Sequence, residues 1–290
     1  MPNKSPVSRP RRRIAALLTD LREQSGLTLE EAAAELGWHI SKVNRISLGR
    51  RAPSETDIRQ LVEFYGQPEA MQKQLNAWRE EDRLIGRKAP WWKPYTKVLS
   101  AAYLELILNE HDASHAWEFQ LNTIPGLCQT DEYARAIISV GLNAYGPDQI
   151  ATLATVRTTR QKLLSLKSDP LVFTGIVTEG ALRAQVGGTD VMRRQLAHLL
   201  ALAGKDNVRI LVIPFTAGAA VAQNSGVTMF RFPDKDEPEI AFLEVIGNTV
   251  VEEAQLEISQ FTRLFRHLET EAASPADSIA LIERAMKEMA

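Results

Sequence analysis

Through the first third of the chain, apolar residues recur at three- and four-residue spacing, the period of a helix with one buried face. Ile14, Leu17, Leu18 and Leu21 predict an amphipathic helix over residues 12–25, after a polar tail over 1–10. Thr28 is a good N-cap, and Glu31 three positions on completes a capping box for a short second helix. Ala32, Ala33 and Leu36 share its inner face, where alanine lets another helix cross closely. Gly37 supplies the left-handed residue that turns the chain, and Val43 and Ile46 give a third helix its buried edge. Ser54 caps a fourth helix, with Ile58, Leu61, Val62 and Tyr65 on one face and Gly66 as its stop. From Pro68 to Ile85, with Met71, Leu75, Trp78 and Leu84 apolar, the pattern predicts a linker helix roughly 24 Å long at 1.5 Å per residue.

Beyond residue 99 helical periods alternate with β-branched runs. Helices are predicted over 100–110, from Thr130 to Val140, from Pro147 to Leu166, over 179–186, from a Thr189 cap, over 251–268, and from Ser274-Pro275 to Met289. Residues 115–121 read as an extended segment with alternating faces. Four strands are predicted at 171–178, 208–215, 226–232 and 239–245, the last two joined by a polar hairpin loop at 233–238. The fold class that follows is α+β: an all-helical domain over 1–66, the linker helix over 67–90, then a larger mixed α+β domain with one sheet over 91–290. The Trp91-Trp92 pair between prolines has two readings, a platform for stacking bases or a buried loop, and the large area of tryptophan favours burial.

The spacing Ala33-x3-Gly37-x5-Val43-x2-Ile46 fits a helix-turn-helix better than an ordinary helical hairpin. It leaves His39, Ile40, Ser41, Lys42, Asn44 and Arg45 on the outer faces of the second motif helix, an apolar-inside and cationic-outside helix suited to the major groove. Charge agrees with that placement. The net charge of the 290 residues is −2, but residues 1–53 carry ten Lys/Arg against five Asp/Glu, a local +5.

Elsewhere the chemistry is sparse. Cys128 stands alone, which excludes an internal disulfide and an all-cysteine zinc site. No apolar h-region follows the basic N-terminus and no apolar run reaches the roughly 20 residues of a membrane helix, so a soluble, cytoplasmic protein without membrane contact is expected. His111 and His115 have a metal-like i, i+4 spacing, without the intervening glutamate or a third ligand. Gly187-Gly188-Thr189 precedes a helix but is no phosphate loop, and 216–220 (TAGAA) reads as a small-residue loop. No catalytic constellation, metal site or cofactor is expected.

The phrases GLTLEEAAAELGW, SKVNRIS and GRRAPS resemble the xenobiotic-response-element family of helix-turn-helix regulators, with its phage-repressor-like fold. WWKPY, IPGLCQTDEYARA, TEGALRAQVGGTDVMRRQLAHLL, VIPFTAG and FLEV resemble the uncharacterised domain that follows such a motif in many actinobacterial regulators. The resemblance implies a transcriptional regulator that binds double-stranded DNA and pairs, antitoxin-like, with a small protein, a small-molecule effector being the alternative; separately, a module of about 66 residues contacts one half-site, so a homodimer held by the C-terminal domain, beyond residue 67, is expected. The resemblance assigns base contact to Ile40, Ser41 and Arg45, and places Lys42 and Asn44 at phosphates or neighbouring bases; His39 is a further candidate for backbone contact. Arg50, Arg51, Arg12 and Arg13 would neutralise phosphates, with a solvated tail as the other reading of residues 11–13, and the helix start at Thr28 would receive one. Leu29 and Ser47 depart from the glutamine and the acidic residue common in that family, which shifts sequence preference.

Overall fold

The computed structural model describes residues 7–87, 91–141, 145–165, 169–222, 225–234, 237–245, 248–252 and 255–289. Two compact units divide the chain, Met1–Pro94 and Tyr95–Ala290.

The first unit is helical: α1 (Arg9–Gln24), α2 (Leu29–Glu35), α3 (Ile40–Ser47), α4 (Glu55–Phe64) and α5 (Glu69–Arg87). The expected caps form. Thr28 accepts the Glu31 N–H while the Glu31 carboxylate takes the Thr28 N–H, and Ser54 and Asp57 repeat the arrangement at α4. Gly37 turns the chain from α2 into α3 at φ +64°, a conformation that a side chain would strain. Ala32 and Ala33 are buried against α3. Ile14, Leu18, Leu21, Ile46, Ile58, Leu61, Val62 and Leu75 form one core. Leu75 lies in α5, so the helix expected to be a linker is instead a packed member of this unit, lying on α1 and α4. Residues 88–90 of that expected segment lie outside the described residues. Trp92 is buried and meets Trp91 edge-on at 5.6 Å.

The second unit runs α6 (Ala101–Asp112), β1 (His115–Gln120), α7 (Asp131–Ser139), α8 (Pro147–Arg160), β2 (Val172–Thr178), α9 (Glu179–Arg183), α10 (Thr189–Ala203), β3 (Val208–Ile213), β4 (Gly226–Arg231), β5 (Ile240–Val245), β6 (Asn248–Glu252), α11 (Gln255–Glu271) and α12 (Pro275–Glu288). Its single six-stranded sheet has the order β3-β2-β1-β4-β5-β6. β1, β2 and β3 are parallel, and β4, β5 and β6 continue antiparallel from the other side of β1. The whole is α+β, with helices on both sheet faces. Ala116, Phe173, Val177, Phe230 and Phe242 pack with Tyr133, Met192, Leu196, Leu199 and Ile282 on one face. Trp117, Phe119, Ile176, Leu211 and Met229 pack with Phe265 and Leu268 of α11 on the other.

Three local expectations change. The extended segment at 115–121 is the central strand β1, buried on both faces, so alternation did not distinguish inside from outside there. The helix expected from Val251 begins only at Gln255, because Thr249, Val250 and Val251 pair as β6 with β5. The α10 N-cap position is Gly188 at φ +92°, and Thr189 is the first helical residue. The 233–238 loop is described apart from Lys235 and Asp236.

Candidate nucleic-acid interface and a polar cavity

Helix α3 buries Val43 and Ile46 and exposes Ile40, Ser41, Asn44 and Arg45, and its C-cap Leu48 is exposed as well. These exposed positions follow i, i+1, i+4, i+5, i+8, one continuous stripe along a helix. Ile40 and Leu48 bracket it as exposed apolar side chains, 38% and 46% exposed. Leu48 was not among the expected contacts; its place eight residues after Ile40 is the signal that marks it. Arg45 donates from Nε to the Ser41 carbonyl at 3.0 Å, which holds the root of the guanidinium along the helix. His39 is the N-cap of α3: its Nδ1 accepts the Ser41 N–H at 3.2 Å and lies 2.9 Å from the Ser41 hydroxyl.

The expected phosphate contacts divide into exposed and engaged groups. Asn44, Arg50 and Arg51 are exposed, with an Arg51 terminal nitrogen 4.0 Å from Asp57 Oδ2. Lys42 is engaged: its Nζ lies 2.6 Å from Asp57 Oδ1 and 3.4 Å from the centre of the Trp38 ring. Burial raises the Asp57 carboxyl, but Lys42 and the Ser54 N–H outweigh it and hold its pKa below the usual value. At the α2 start both the N–H and the hydroxyl of Thr28 donate to the Glu31 carboxylate, at 2.8 Å each. A carboxylate already occupies the place expected to receive a phosphate. Arg11 donates from Nε to Asp82 at 2.8 Å, Arg12 to the Val7 carbonyl at 3.0 Å, and Arg13 lies 4.3 Å above the Trp78 ring. These three side chains are part of the folded first unit rather than of a loose tail.

In the second unit, His111 lies in α6 and His115 in β1, where His115 stacks on Trp117 at 3.7 Å and reaches Thr174 Oγ1 at 3.3 Å. Burial, then the Arg231 charge, lowers the His115 pKa to about 4. Cys128 is a buried free thiol whose pKa burial raises.

Sequence reasoning missed a polar cavity of about 150 Å³ where β1 meets the antiparallel half of the sheet. Here the sheet contributes Glu118, Gln120, Thr228 and Glu244, and α8 contributes Arg157 and Arg160. Glu118 is 5% exposed and accepts at Oε1 from the Gly126 N–H at 2.8 Å and from Gln120 Nε2 at 3.2 Å. The same Gln120 Nε2 donates to Glu244 Oε2 at 3.3 Å. A Cβ on Gly226 would stand 2.8 Å from Gln120 Oε1, so glycine there keeps room for this amide. Burial, then the Glu244 carboxylate, pushes the Glu118 carboxyl up to about 7, against the opposing pull of the Gly126 N–H, Arg160 and Gln120. Arg160 is buried and bound through Nε and a terminal nitrogen to Glu110, and it donates to the Tyr103 hydroxyl at 2.9 Å. Arg157 donates to Gln129 Oε1 at 2.5 Å.

Among the described residues, no helix is long and apolar enough to cross a membrane. The family model of a helix-turn-helix domain matches residues 13–75, which contain α2, α3 and the stripe described above. No curated protein and no solved structure matches the chain. The family model of a domain of unknown function (DUF5753) matches residues 103–284, more than half of the chain and including the whole sheet. The chain belongs to this DUF5753 family and carries a helix-turn-helix domain ahead of it.

Proposed function

We propose that the protein is a sequence-specific transcriptional regulator of the xenobiotic-response-element type, acting in the cytoplasm. Its α3 reads base edges in the major groove, and its second unit is the regulatory part. The observation that carries this is the exposed stripe of α3, with Arg45 at its centre. Arg45 offers a fork to guanine, Ile40 and Leu48 offer apolar contact to thymine methyl groups, and Ser41 and Asn44 lie between them. Arg50 and Arg51 contribute backbone contact that carries no sequence information. A single module of this size contacts one half-site, so the chain acts as a homodimer on half-sites about one helical turn apart.

Two regulators of the second unit were open from sequence, a small partner protein in an antitoxin-like pairing and a small-molecule effector. The cavity beside β1 favours the effector: polar side chains of β1, β4, β5 and α8 converge on one pocket that also has an apolar wall in Leu106, Ile124 and Ile137. No catalytic step is assigned to this unit. The test is selection of duplexes from a randomised pool by the full-length chain, followed by titration at several salt concentrations. A regulator of this kind enriches a two-fold symmetric site and binds it at least about 10³-fold more tightly than random duplex. Enrichment of no sequence, with affinity set by salt alone, would contradict the reading.

A further inference from the structure

The charges around the cavity do not cancel. Arg160 is matched by Glu110. Arg157 faces an amide, Gln129, rather than a carboxylate. Glu118 and Glu244 line the same cavity from β1 and β5, share one donor in Gln120, and form no ion pair of their own among the described residues. Glu118 Oε2 receives no hydrogen bond there, although the residue is almost wholly buried. Two carboxylates against one uncompensated guanidinium leave the cavity one positive charge short. The shortfall agrees with the direction in which burial and the Glu244 carboxylate push the Glu118 carboxyl, up to about 7.

We propose that this cavity binds a small organic monocation, a primary ammonium held between Glu118 and Glu244, with its alkyl part against Tyr103, Leu106 and Ile137. An ammonium brings three donors to two carboxylates that share the single Gln120 amide donor. The volume of about 150 Å³ accommodates an organic ion of a few heavy atoms. Binding exchanges one charge for another: the ammonium enters, the Glu118 proton leaves to solvent, and the cavity stays neutral. The other groups facing Glu118 are Arg160 on α8, itself held by Glu110 of α6, the Cys128 thiol, and Glu244 on β5. Of these, Glu244 is the second carboxylate of the site. An anion is disfavoured by the same two carboxylates, and a neutral alcohol releases no proton.

The test uses n-propylammonium chloride as probe on the full-length chain, with potassium chloride, 1-propanol and sodium propionate as controls at matched ionic strength. Calorimetric titration gives affinity, and the melting midpoint gives an independent readout. Propylammonium is expected to bind and raise the midpoint, with the controls silent. Its affinity rises about tenfold per pH unit below the Glu118 pKa and levels above it, as loss of one proton requires. Glu118→Gln removes the pH dependence and at least tenfold of the affinity. Glu244→Gln, at the exposed rim, weakens binding severalfold and moves the pH profile lower, which keeps the assignment testable if Glu118→Gln does not fold. Equal binding of propionate or propanol, a potassium chloride effect equal to that of propylammonium, or a flat pH profile with unchanged affinity in Glu244→Gln would overturn it. The regulatory meaning of the site rests on the effector reading proposed above, whereas binding is measured without DNA. Binding that leaves DNA affinity unchanged would overturn that reading alone, and absence of binding would overturn the site alone.

Discussion

Lys42 Nζ lies 2.6 Å from Asp57 Oδ1, and this contact ties α3, the second helix of the helix-turn-helix, to the first turn of α4. Asp57 also accepts the Ser54 N–H at 3.0 Å, so one carboxylate caps α4 and anchors α3. The side chain of Asp57 is 7% exposed and that of Lys42 20% exposed, well inside the range where an ion pair has structural weight. A basic residue of α3 thus fixes the angle at which that helix is presented.

Lys42→Met should therefore destabilise the first unit by about 1–3 kcal/mol, because it leaves a buried carboxylate without its cation. The Asp57 pKa is depressed in the folded state, so its contribution is present above the ordinary carboxylate range and lost as pH falls through the depressed value. Denaturant unfolding at pH 7 and at acid pH should show the variant's deficit shrinking toward low pH. Unchanged stability, with the salt slope of DNA binding reduced by about one contact, would instead make Lys42 a phosphate ligand.

Leu75 is fully buried among α1 and α4 residues although it lies beyond the four-helix motif. Leu75→Ala should cost about 2–5 kcal/mol by leaving a cavity in a small core. Within the first unit, a fragment ending at residue 66 should melt well below one ending at 87. Equal melting of the two fragments would return α5 to the role of a linker.

Glu118 has a raised folded pKa, so its contribution to stability is present below the ordinary carboxylate range and lost as pH rises through about 7. His115 acts in the opposite sense: its folded pKa of about 4 removes stability as pH falls from about 6.5 toward 4. The second unit should thus be most stable near pH 5–6, as order of magnitude. Glu118→Gln should flatten the alkaline limb and recover a few kcal/mol at pH 8, as about 1.4 kcal/mol per pKa unit implies. A variant with the parent's alkaline slope would show that Glu118 is ionised throughout.

The parts of this structure that were legible in the sequence are those set by near neighbours. Thr28 with Glu31, Gly37 at the turn and the Val43–Ile46 edge each act within one or two helical turns, and each formed as expected. What escaped depends on residues brought together from afar. Asp57 claims Lys42 from fifteen positions away, and Asp82 claims Arg11 from 71. The cavity draws Glu118, Gly126, Arg160, Thr228 and Glu244 from separate elements, and no local spacing announces it. Glu118 did leave a trace, as a charge inside an otherwise apolar strand, but only the pairing of β1 between β2 and β4 makes that position buried. β6 was lost to a different cause: the adjacent valines Val250 and Val251 suit a helix start as readily as a hairpin strand.

The proposed reading of sequence by α3 through Arg45 is tested most directly by the base-preference profile of Arg45→Ala beside the parent. Binding-site selection and competition titration at one salt concentration should show a loss of about 1–3 kcal/mol on the preferred site, preference relaxed at one base position per half-site, and the remaining positions retained. A variant that keeps the parent's full preference, or weakens on all duplexes alike, would contradict the assignment and remove Arg45 from base readout.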